Sequence, residues 1–166
     1  MDAFESLRSL SEVAVALAGF TGIVAVLGQR AGGQWSPLEW LRLRMLLETS
    51  LAVVFLSLLP ELFHELEALE RLTWRLADGI QALVHAGGIF LLYLRFQKLD
   101  PSEWPSEERW LTIALVPVSV AIVSLQGLAA FGALASYGFF LFLLGLIYLL
   151  GIAALHFVLL LVPDHE

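Results

Sequence analysis

The chain has 166 residues, 59% of them hydrophobic, with a mean hydropathy of +0.83 and a formal charge of −7. Such apolarity lies outside the range of soluble domains, and the negative balance argues against a nucleic-acid partner and a polybasic lipid-binding patch. The chain has no cysteine, which excludes disulfides, thiolate metal sites and cysteine nucleophiles.

Apolar segments occupy nearly the whole length and predict one all-α domain, 1–166, a polytopic transmembrane helical bundle of about five spans. The spans fall at about 10–29, 39–60, 74–96, 108–130 and 137–162, with a short amphipathic segment after the second. Crossing about 30 Å of hydrocarbon takes roughly 20 residues, which each span supplies.

Asp2 and Glu5 form a capping-box pattern that starts the first helix at Ala3. These acids flank the lone early cation, Arg8, and no small-residue cleavage pattern follows, so the segment reads as a retained helix rather than a signal peptide. Ala14, Ala18 and Gly22 recur at every fourth residue, with Thr21 and Ala25 beside them. Lipid gives helices little hydrophobic reason to associate, so they associate where small residues let backbones approach. This small-residue face predicts a central, protein-packed helix, and Ala31-Gly32-Gly33 supplies its stop.

Ser36, Pro37 and Glu39 give the second helix an N-cap, a first-position proline and a capping-box acid. Pro60 kinks or ends it, and Glu61 to Leu72 reads as an amphipathic surface helix or as an extension of the second helix. The third span holds Asp78, His85 and a Gly87-Gly88 pair. Gln97 to Glu108 is a polar connection with a capped turn at Asp100-Pro101-Ser102-Glu103, and Ser106 is placed to cap the fourth helix. That helix contains Pro117, which predicts a bend, and Pro163 closes the fifth.

Arg30, Arg42, Arg44, Arg95, Lys98 and Arg109 flank the first and third connections, which share a side if there are five spans. The opposite side carries Arg8, Arg71 and Arg75 against the acids Glu61, Glu65, Glu67 and Glu70. The positive-inside rule then places the N-terminus outside and the C-terminus in the cytoplasm.

Glu48, inside the second span, needs a partner, a water cavity or a proton, and Arg44 lies one turn earlier on the same face. A structural ion pair and an ion- or proton-handling carboxylate are both open. His85, near the middle of the third span, is either satisfied by interhelical hydrogen bonds or acts as a proton relay or ligand. His156 is placed to approach Glu48 in depth. His85 and His156 differ by roughly 10 Å or more in depth at 1.5 Å per residue, which argues against a shared haem. Asp78, Glu12 and Gln126 fall near the outer ends of their spans and are candidates for an outer vestibule or for head-group contact. Ser50, Ser57, Ser119 and Ser124 are expected to back-bond to the preceding turn, and Gly138, Gly145 and Gly151 to serve packing. No enzyme signature, cofactor motif or metal-ligand pattern is present in the sequence.

Glu12, the string Ala18-Gly19-Phe20-Thr21-Gly22-Ile23-Val24, Trp35-Ser36-Pro37 and the Arg42–Glu48 run resemble small bacterial multi-pass inner-membrane proteins of similar length. The resemblance covers mainly the first two helices; no activity attaches to that group, so it implies a bacterial inner-membrane location. The Gly19-Phe20 pair is also similar to the pore helix of Orai calcium channels. That similarity stops after a few residues, because Arg8 and Glu12 share one end here, where those channels separate outer acids from inner bases.

Two functional readings follow. One is transport, as a homo-oligomeric ion or proton channel or a small carrier, with Glu48 and His85 as its polar groups. The other is a non-catalytic scaffold or accessory subunit that docks a partner membrane protein.

Overall fold

The computed structural model describes residues 3–30, 35–65, 70–97 and 106–161. They form α1 (Ala3–Arg30), α2 (Pro37–Glu65), α3 (Glu70–Phe96), α4 (Ser106–Ala130) and α5 (Gly138–Leu161), with a 3-10 turn at Ala135–Tyr137 before α5. No strand occurs among the described residues. Each of the five helices holds a stretch, 21 to 29 residues long, apolar enough to cross a membrane, so the chain is an all-α, multi-pass integral membrane protein. The Ala31-Gly32-Gly33 stop, the Asp100–Glu103 turn, the Asp2 cap and the Pro163 stop lie outside the described residues.

The start of α2 forms as its residues dictate. The Ser36 N–H donates to Glu39 Oε2 at 2.7 Å, and the Glu39 N–H donates to Ser36 Oγ at 3.1 Å. α2 then continues through Pro60 to Glu65, so residues 61–65 prolong it and 70–72 open α3. Pro60 lacks only the N–H that would reach the Leu56 carbonyl, a loss that helices in lipid tolerate.

The chain divides into two compact units. The first comprises residues 1–58 and 146–166, the second 59–145. In the first, the buried line of α1 is Leu7, Ala14 and Thr21. Ala18 and Ala25 are half-buried, Gly22 is exposed, and a methyl group at Gly22 would meet nothing within 4 Å. Only 11% of the apolar stretch of α1 is covered, against 39% in α2, so α1 is not the enclosed helix its small residues predict. The reason is angular. A step of four residues advances 400° and winds off a face, whereas a step of seven drifts by only about 20° and stays on it.

The second unit is built on the α3–α4 pair, which approach so closely that a methyl group at Gly79 would stand 3.4 Å from Ala130 Cβ. α4 ends in a Schellman motif. Ala133 N–H donates to Leu128 O at 3.0 Å and Gly132 N–H to Ala129 O at 2.9 Å, with Gly132 at φ 92°. The Arg75 Nε–H reaches from α3 to the Ala130 carbonyl at 3.0 Å, satisfying another of the carbonyls the helix end leaves open.

Gly132→Ala is therefore expected to destabilise the protein by about 1 to 2 kcal/mol, the cost of a left-handed alanine. Its Cβ would also stand 3.4 Å from Arg75 Cζ. Thermal unfolding in detergent, compared with the parent chain, measures the loss.

Candidate intramembrane polar site

The second unit carries its polar residues inward. Asp78, Gln81 and His85 follow one another at spacings of three and four residues on one face of α3, and all three are buried. On α4, Ser119 and Gln126 are seven residues apart and also buried. Asp78, Gln81 and Gln126 have no exposed surface at all. Long polar side chains occupy this space because α5 presents glycines to it. A methyl group at Gly138 would lie 2.8 Å from Trp74 Cβ and 3.2 Å from Asp78 Oδ2. One at Gly145 would overlap the Gln126 amide nitrogen and stand 2.7 Å from the Gln81 amide nitrogen. Both amides thus lie against bare α5 backbone, and Gln126 Nε2 donates to the Leu141 carbonyl at 3.4 Å.

Asp78 is the exceptional member. Neither of its carboxyl oxygens has a hydrogen-bond partner among the described residues. Trp74, one turn earlier on α3, packs edge-on against Phe139 at 5.0 Å and tilted against Phe142 at 6.1 Å, which makes the surroundings apolar. An ionised carboxylate left unpaired in such a place costs several kcal/mol, so the arrangement calls for a proton or another cation. From Asp78 the polar side chains run inward over seven residues, about 10 Å along the helix, and end at His85, beside the midpoint of the span Leu72–Phe96. Beyond His85, residues 86–92 of α3 are all apolar, and Tyr93 and Arg95 follow in its last turn. The polar column thus begins at the wholly buried Asp78, near the α3 N-terminus, and gives way to apolar side chains beyond His85.

The other expected residues lie elsewhere. Arg44 Nε donates to Glu48 Oε1 at 2.7 Å, and the two side chains are 62% and 41% exposed. They sit with Leu51 and Phe55 on the outer stripe of α2, while Arg42, Leu46, Thr49 and Val53 form its buried stripe. His156 is half-buried in the first unit, and no hydrogen bond or ion pair joins it to Glu48. Arg42 does the buried work there, its Nη1 donating to the Leu159 carbonyl at 3.2 Å. Glu12 is exposed on α1 in the first unit, whereas Asp78 and Gln126 are wholly buried in the second. Ser57 and Ser124 back-bond to Val53 and Val120 at 2.5 and 2.7 Å, whereas the buried Ser50 hydroxyl has no partner among the described residues.

Gln81 had no part in the sequence reading, although its position was informative. It falls three residues after Asp78 and four before His85, the spacing that completes a polar face. Among the described residues no group of three His, Asp or Glu side chains is placed to hold a metal ion. Comparison with protein-family models, curated proteins and solved structures finds no match.

The close fit at Gly145 can be measured. Gly145→Ala is expected to destabilise the fold by about 1 to 3 kcal/mol through overpacking. Gln126→Ala in the same chain should return part of that loss, because it removes the overlapped amide. Gly22→Ala, with open space around it, should not destabilise; detergent unfolding curves of the three variants, the double variant included, decide the point.

Proposed function

We propose that this protein moves a small cation or a proton through the membrane and that the polar column headed by Asp78 is where the charge is held. The observation that carries this reading is a carboxyl group with no exposed surface and no hydrogen-bond partner, set among amide, imidazole and hydroxyl side chains from two helices. Intramembrane acids are costly, and a fold that places one in its core rather than at the lipid boundary gains a site for a positive charge. Glu48, the acid most prominent in the sequence, is neutralised by Arg44 on an outer surface and is less suited to the task.

The column ends at mid-membrane, and a five-helix chain is small for enclosing a complete path. The transporting form is therefore a homo-oligomer, or a carrier that exposes the column to each side in turn. The protein sits in a bacterial inner membrane, with its N-terminus outside and its C-terminus in the cytoplasm; the arginine distribution and the resemblance of the first two helices support this placement. The blind inner end of the column is the one feature that favours the accessory-subunit reading instead.

The test is flux into proteoliposomes carrying a pH-sensitive dye, under an imposed proton or monovalent-cation gradient. Asp78→Asn should reduce flux to the protein-free background, and Glu48→Gln should leave it unchanged. A parent chain that is folded but indistinguishable from empty liposomes removes the transport reading and leaves the accessory subunit.

A further inference from the structure

A charge held at Asp78 can be any of several cations, and the column narrows the choice. Gln81 and Gln126 both turn amide nitrogens toward the α5 backbone at Gly145. Amide N–H groups are donors and bind no metal cation; the buried Gln126 Oε1 is left with the two Asp78 oxygens, short of the about six oxygens that a hard cation takes. The absence of any three-residue acid and histidine group among the described residues points the same way. A proton needs no ligand shell. Bound to one carboxyl oxygen, it removes the charge that the apolar surroundings oppose.

Access is equally constrained. Arg75, one turn before Asp78 toward the α3 N-terminus, is exposed and holds the end of α4 through the Ala130 carbonyl. In the other direction lie Gln81, then His85 and Ser119, and then the wholly apolar run of residues 86–92, about 10 Å of helix, before Tyr93 and Arg95 at the end of the α3 span. We propose that Asp78 is held as a neutral carboxylic acid and exchanges its proton with one membrane face only, the face that carries the α2–α3 connection. The proposal rests on the reading that the protein's charge is handled at Asp78.

None of the neighbouring charged groups whose side chains are described is bonded to Asp78. On α3 they are Glu70 and Arg71 at its start, Arg75 and, two turns deeper, His85. Residues 110–130 of α4 and 138–145 of α5 contain no Asp, Glu, Lys, Arg or His, and the turn before α5 offers only Tyr137. The last residues of α2 contribute Glu61, His64 and Glu65, none of them bonded to Asp78.

The experiment uses a hydrophobic carbodiimide, which enters the bilayer from either side. The protonated carboxyl adds across its C=N bond, giving its proton to nitrogen, and the O-acylisourea rearranges to a stable N-acylurea with no atom lost. Ionised carboxylates such as Glu48 in its ion pair do not react. The full chain is sealed in vesicles, and orientation is read from Ala68→Cys, between α2 and α3, with a membrane-impermeant maleimide; the parent chain has no cysteine to interfere. Peptide mass spectrometry should find Asp78 modified at neutral pH. Raising the pH on the α2–α3 side alone should spare it, and raising it on the other side alone should not. Asp78→Asn should lose this modification and keep the parent's unfolding temperature, which shows that the loss is chemical.

An unmodified Asp78 in folded protein at neutral pH overturns the proposal, as does protection by alkali from the opposite face. The flux assay separates the two readings. Flux with an unmodified Asp78 upholds transport and rejects the neutral acid, whereas one-sided modification without flux upholds the neutral acid and rejects transport.

Discussion

The second unit depends on a single exchange of volume: α5 gives up two side chains so that α3 and α4 can keep long polar ones inside. Gly138 and Gly145, two turns apart on α5, leave its backbone bare where Asp78, Gln81 and Gln126 arrive. A residue of ordinary size at either glycine would push those groups toward lipid, where amides and carboxyls lose hydrogen bonds at a cost of several kcal/mol. Leu141 and Phe142, between the two glycines on α5, are also buried. The helix with the most apolar sequence in the chain is thus the one that accommodates the most polar interior.

Arginine is used in two different ways. Arg42 and Arg75 each send a guanidinium N–H to a backbone carbonyl near a helix C-terminus, Leu159 on α5 and Ala130 on α4. Those carbonyls have lost their intrahelical donors and carry the negative end of the helix dipole, so a cation satisfies both needs. Arg44, two residues from Arg42, points outward and pairs with Glu48 on its own helix. An exposed pair of that kind contributes little, typically about 0.3 to 0.5 kcal/mol in water. The contrast shows why a count of cations near a membrane boundary speaks to topology but not to structure: Arg42 and Arg44 weigh equally in the positive-inside rule and have unrelated jobs.

The fold class and the helix starts were legible because they follow from local chemistry. Length and apolarity identify five helices, and the Ser36–Glu39 box forms as its four-residue pattern requires. The location of the polar site was only partly legible. Sequence reading weighs an acid by its position along a span, which favoured Glu48, but the decisive quantity is the angle around the helix. On α2 that angle turns Glu48 outward with Phe55, and on α3 it turns Asp78 inward with His85. The small residues of α1 misled for the same reason, since Ala14, Ala18 and Gly22 drift by about 40° at each step and leave the buried line by Gly22. Gln81 needed no structure to be noticed; it needed Asp78 and His85 to be considered as one face.

The division of the chain has a consequence for biogenesis. The second unit is one uninterrupted stretch, 59–145, while the first joins residues 1–58 to 146–166. The bond from Arg42 to Leu159 spans 117 residues. During synthesis, α3, α4 and the first half of α5 can settle against one another as soon as they enter the bilayer, with Arg75 and the Gly132 turn closing the α4 end early. α1 and the front of α2 must wait, inserted but unfinished, until the last helix emerges. Contacts of such long range form slowly and leave surfaces open meanwhile. Until Leu159 has been made, the guanidinium of Arg42 lacks the carbonyl that it holds in the finished fold.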